Sequence, residues 1–129
     1  MEKTALIITD GAESTLEMAK AISSALKNFK VVSLSATEFL GTDLLPASVY
    51  FFGTETPSPP SFSYLQKLLL HINLAGRPCG IFSASQEAAD YLKKLVHDSE
   101  LDLHPDSFVK TGNKTANIIS WAEKIIEKL

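Results

Sequence analysis

The chain switches repeatedly between two apolar rhythms, and no other feature limits its fold as strongly. Thr4–Ile8 (TALII) is a short apolar run that stops at Thr9-Asp10-Gly11. A strand buried on both faces reads this way, whereas a half-exposed strand alternates. From Ser14 the rhythm becomes helical. Met18, Ile22, Leu26 and Phe29 recur at three- and four-residue steps, and Lys20, Ser23, Ser24 and Lys27 fall largely on the other faces. The switch then repeats. Val31–Leu34 reads as a second strand, and Ala36–Leu45 as a loop or short helical piece broken by Gly41 and Asp43 before Pro46. Val49–Phe52 (VYFF) is a third strand, stopped by Gly53. Thr54–Ser61 holds three prolines and reads as a stiff polar loop.

Phe62–Leu74 is predicted as a helix with Leu65, Leu68, Leu69 and Ile72 on one face, ended by Gly76-Arg77-Pro78. Cys79–Phe82 begins a fourth strand, and Glu87–Val96 is a helix with Ala88, Tyr91, Leu92, Leu95 and Val96 inward. A fifth strand falls within Leu101–Lys110, around Ser107–Val109. Thr115–Leu129 closes the chain as a helix with Ile118, Ile119, Ala122, Ile125, Ile126 and Leu129 as its core stripe. Five strands alternating with about five helical pieces predict a parallel sheet covered on both faces. Right-handed crossovers leave few topologies, and for five strands the expected order is 2-1-3-4-5. The fold class is therefore a three-layer, doubly wound α/β domain, and 129 residues hold one such domain, 1–129.

Composition removes several function classes. The 12 Lys+Arg against 15 Asp+Glu give a net charge of -3, which provides no basic excess for nucleic acid or an anionic membrane. A single cysteine, Cys79, excludes an internal disulfide framework and a cysteine zinc cage. No apolar stretch approaches the ~20 residues that span a bilayer, and the start does not read as a signal peptide, so the expected location is the cytoplasm. His71, His97 and His104 have no ligand spacing, and no phosphate-loop or nucleophile-elbow motif occurs. Cys79 reads as a buried strand residue.

In open parallel sheets ligands bind beyond the C-terminal ends of the strands, where the strand order reverses. That rim is made here of Thr9–Thr15 (TDGAEST), Gly53–Ser61 and Ser83–Gln86 (SASQ), all rich in small and hydroxyl residues. The first of them opens a helix, whose free amides and macrodipole favour an anion.

Four segments carry a family resemblance. The first strand leads through a Ser/Thr-bearing loop to Met18-Ala19-Lys20-Ala21-Ile22. Phe52-Gly53-Thr54-x-Thr56-Pro57 follows the third strand. Gly80-Ile81-Phe82 precedes a small-residue loop, and Trp121-Ala122-Glu123 sits in the last helix. On these the chain resembles the flavodoxins over nearly its whole length. The resemblance implies an FMN-binding electron-transfer protein with a redox partner protein, and an electron carrier rather than a catalyst in its own right. It implies cofactor contacts from Asp10, Gly11, Ala12, Glu13, Ser14 and Thr15, from Thr54, Glu55, Thr56 and Pro57, and from Ser83, Ala84, Ser85 and Gln86, with no catalytic residue and no metal.

The phosphate loop departs from the family pattern (Thr/Ser)-x-Thr-Gly-x-Thr. Asp10 stands at the first hydroxyl, Ala12 at the second, Glu13 at the glycine, and only Thr15 matches. Asp10 and Glu13 read either as turn and helix-start residues or as carboxylates that exclude a phosphate. The second and third loops also lack the aromatic that flavodoxins stack on the flavin ring. Phe62 is the nearest candidate, although an aromatic at a helix start is commonly core. The alternative reading is therefore a flavodoxin-fold binding module that has lost FMN and acts through a protein partner or another ligand. A response-regulator receiver domain would share the strand order. Asp10, Ser83-Ala84 and Lys110 fit it in part, but Phe51-Phe52-Gly53 leaves no acceptor aspartate at the third strand.

Overall fold

A computed structural model describes residues 3–110 and 116–129. Its strands are β1 (Lys3–Thr9), β2 (Phe29–Ser35), β3 (Val49–Thr54), β4 (Pro78–Ser83), β5 (Asp102–Leu103) and β6 (Phe108–Val109). The helices are α1 (Glu13–Ala25), α2 (Ser63–His71), α3 (Gln86–His97) and α4 (Ala116–Ile126). All pairings are parallel, and the order is β2-β1-β3-β4-β5, with β6 also on β4. The predicted topology is thus observed, with a sixth short strand added.

The apolar runs explain the layering. Side chains of a strand alternate between faces, so a strand with helices on both sides needs apolar residues at every position. In β3, Tyr50 and Phe52 enter one core with Phe62, Leu65 and Leu69 near α2 and Leu92 of α3. Val49 and Phe51 enter the other core with Met18 and Ile22 of α1 and Ile118, Trp121, Ala122 and Ile125 of α4. β3 and β4 are buried along their whole lengths, whereas β2 stands at the edge, with its residues half-buried or exposed.

Several predicted boundaries move. Phe29 opens β2 instead of closing α1. Phe62 lies in a 3-10 turn, Pro60–Phe62, and α2 ends at His71 because Ile72 is extended. Within 36–45 the only helical turn is the 3-10 segment Gly41–Asp43, so the described α-helices number four. Leu129 is 38% exposed and leaves the core stripe, while Trp121, absent from the predicted stripe, joins it. The predicted helix start at Thr115 lies outside the described residues.

Candidate functional site

The three rim loops are joined to one another at the C-terminal end of the sheet. The Asp10 amide donates to the Gly53 carbonyl at 3.2 Å, which ties the loop after β1 to the end of β3. The Ala84 amide donates to the Thr54 carbonyl at 3.3 Å, which ties β3 to the loop after β4. The Lys110 amide donates to the Ser83 carbonyl at 2.9 Å and brings the chain after β6 to the same edge.

Within the first loop the turn is made by Gly11, whose φ of +83° lies in the left-handed region open mainly to glycine. Space is open where a Cβ would stand. The family's glycine position, held here by Glu13, is instead the first residue of α1, with its side chain exposed. Glu13 thus adds favourable charge to the first turn, as the helix-start reading expects. The N-cap, Ala12, offers no side-chain acceptor, and the first hydrogen bond of the helix runs from the Leu16 amide to the Ala12 carbonyl at 2.9 Å. The amides ahead of it are the donors that make a helix start attractive to anions.

Asp10 does not turn away from this seat. Its Oδ1 accepts from the Ala12 amide at 3.1 Å and lies 2.6 Å from Thr15 Oγ1. Its Oδ2 accepts from the Glu55 amide at 2.8 Å. The carboxylate therefore engages the loop after β1, the head of α1 and the loop after β3 together. Thr15 Oγ1 also lies 2.8 Å from the Ala12 carbonyl, and its single proton serves one acceptor at a time. Charge-assisted bonds of this kind are the strong ones, and they hold donors that a bound anion would otherwise use.

The third loop is shaped locally. Ser83 Oγ donates to the Ser85 carbonyl at 2.7 Å, and Ser85 Oγ accepts from the Ala88 amide at 3.2 Å as the N-cap of α3. Gln86 is exposed and pairs with Asp90. Glu55, Thr56 and Pro57 are exposed, whereas Thr54 and Ser83 are fully buried. Two hydroxyls at this end, Ser14 Oγ and Thr54 Oγ1, are buried with no hydrogen-bond partner among the described residues. Phe62 is fully buried in the core beneath α2, so no ring from it reaches the rim.

Two features lay outside the sequence-based reading. Leu16 and Tyr64, in the first turns of α1 and α2, are 44% and 47% exposed. Lys110 Nζ lies 3.4 Å from Glu17 Oε2 and spans from the end of β6 to α1. Neither pairing nor exposure has a local signal in the sequence. Cys79 is buried, and burial raises its thiol pKa far above the ordinary value, which leaves no reactive thiolate. Among the described residues no cluster of three or more His, Cys, Asp or Glu is placed to hold a metal ion, and no helix is long and apolar enough to cross a membrane.

The architecture has close counterparts among solved structures. The flavodoxin of Streptococcus pneumonia matches with a TM-score of 0.81 and 16% identity, covering 98% of this chain and 99% of that one. Flavodoxin 2 from Bacillus cereus matches at 0.83 and 18% identity, again over 98% and 99%. The chain has the flavodoxin fold. A variant of the Fusobacterium nucleatum flavodoxin, solved bound to flavin mononucleotide, matches at 0.71 and 11% identity over 98% and 94%. No protein-family model matches the sequence, and no curated protein matches it either.

In flavodoxin folds FMN occupies the β1/β3 switch point, which here is the Asp10–Glu55 junction. The phosphate of FMN does not fit this loop as it stands. Unit charges of like sign ~5 Å apart repel by about 3 kcal/mol at an effective dielectric near 20, and the Asp10 carboxylate sits among the donors that would receive it. The Ser14 hydroxyl, buried with no partner among the described residues, is a hydrogen-bonding group that a ligand at this end can use.

Proposed function

We propose that the chain is a flavodoxin-type electron carrier that takes a flavin at the rim of Asp10–Thr15, Thr54–Pro57 and Ser83–Gln86, and that it passes electrons to a protein partner in the cytoplasm. One observation carries the reading: the loops after β1, β3 and β4 are hydrogen-bonded into a single rim at the switch point of a sheet that matches flavodoxins end to end. This role asks no acid–base group of the protein, because a flavin carries its own redox chemistry and the protein supplies binding and electrostatics. Exposed Leu16 and Tyr64 supply apolar surface at the same end, where a partner would approach.

A second reading draws on the Asp10 carboxylate, which already engages the anion seat. On that reading the fold has lost its flavin and serves as a binding module. Visible absorption of the purified protein, followed by titration with FMN and riboflavin under fluorescence, separates the two. Quenching of either flavin at micromolar protein supports the electron carrier. No binding of either overturns it in favour of the module.

A further inference from the structure

We infer that Asp10 is the specificity-determining residue of the rim, and that the rim takes a phosphate-free flavin in preference to FMN. The inference rests on the flavin reading above and names the form of flavin. Three donors converge on the Asp10 carboxylate: the Ala12 amide at 3.1 Å, the Thr15 hydroxyl at 2.6 Å and the Glu55 amide at 2.8 Å. They come from two segments 45 residues apart, so the carboxylate, besides forming the local turn through the Ala12 amide, is the shared anion of both loops. A phosphate brought to the same junction must displace it or stand beside it. Displacement strips a charged group of its bonds, and coexistence sets like charges side by side in a part-buried loop. Glu13 and Glu55, both exposed, add negative field on the approach. A flavin that ends in the uncharged ribityl chain meets none of this, and the unpartnered Ser14 hydroxyl is a hydrogen-bonding group it can use.

The test compares riboflavin and FMN on the wild-type protein and on Asp10→Asn, which keeps the side-chain size and one acceptor oxygen while removing the charge. The expected result is riboflavin binding about tenfold or more tighter than FMN to the wild type, with the gap closing or reversing in Asp10→Asn. The wild-type gap should also narrow as salt rises from 50 to 500 mM, which a merely steric exclusion would not do. FMN binding as tight as riboflavin to the wild type overturns the inference and leaves the flavin reading intact. Binding of neither flavin to either protein overturns both. A salt-independent gap that Asp10→Asn leaves unchanged assigns selectivity elsewhere and overturns the role of Asp10. If Asp10→Asn does not fold, as judged by circular dichroism, the wild-type affinities and their salt dependence decide alone.

Discussion

Gly53, inside β3 and paired with Thr9 on one side and Phe82 on the other, has no room for a side chain. A Cβ built there would overlap the ring of Phe82 on the neighbouring strand. Phe82 is itself fully buried in the core under α1 and α4, so it cannot yield cheaply. Gly53→Ala should therefore destabilise the fold by about 1–3 kcal/mol or more, read as a lowered urea midpoint with an unchanged m-value. Asp10→Ala acts differently. It leaves the core alone but frees the Ala12 and Glu55 amides, so we expect a loss of about 1–3 kcal/mol and faster hydrogen exchange at Glu55 than in the wild type. Protection at Glu55 equal to wild type would show that the junction is not held by this carboxylate. The sequence reads Gly53 as a strand stop, whereas β3 continues through it to Thr54, and the reason for the glycine, a clash with a strand some thirty residues away, has no local signal. Asp10 was legible as a carboxylate in a phosphate-loop position. Its engagement with Glu55 was not, since nothing local to either residue predicts a contact across 45 positions.

At the scale of elements, β1, β3 and β4 were readable because burial on both faces demands an uninterrupted apolar run. The last strand was the least readable, and its pairing shows why. β5 sets Cys79 opposite Leu103, whereas β6 sets Phe82 opposite Phe108. Three steps along β4 thus answer to five steps along its partner, and the surplus bulges out around Pro105, which has no amide to give to a ladder. A pattern with two extra residues in it shows neither a clean run nor a clean alternation. The bulge is pinned from α4: Trp121 Nε1 donates to the Asp106 carbonyl at 2.7 Å while its ring packs against Phe51 and Phe108. Trp121→Phe keeps an aromatic ring in the core and deletes the donor. It should cost about 1–2 kcal/mol in thermal or urea unfolding followed by circular dichroism. A cost near zero would mean that the strand holds its bulge without the helix.

Among the described residues, the titrating groups with a shifted pKa, Cys79, Tyr50 and Tyr91, lie in or against the core beneath α2 and α3, not at the rim. Burial raises the Cys79 thiol above its ordinary 9.0. It also raises Tyr50 above 10.0, although the Arg77 guanidinium, whose Nη1 donates to the Tyr50 hydroxyl oxygen at 2.8 Å, pulls the other way. Tyr50 in turn donates to the Leu44 carbonyl and holds the segment before β3 against the sheet. Both groups stay protonated in the folded protein at pH values where the unfolded chain has begun to lose those protons. The folded state then binds more protons than the unfolded one, and stability falls as pH rises. Their contribution is complete below about pH 8 and declines first from about pH 9 through the thiol, with a slope approaching 1.4 kcal/mol per pH unit, and then further from about pH 10 through the phenol. Urea midpoints measured from pH 7.5 to 10.5 should fall along this course. Cys79→Ala removes a fully buried sulfur and should lower stability at pH 7.5 by about 1 kcal/mol. It should also flatten the part of the decline between pH 9 and 10, because the thiol no longer contributes there. An equally steep decline in Cys79→Ala over that interval would locate the alkaline sensitivity outside this core.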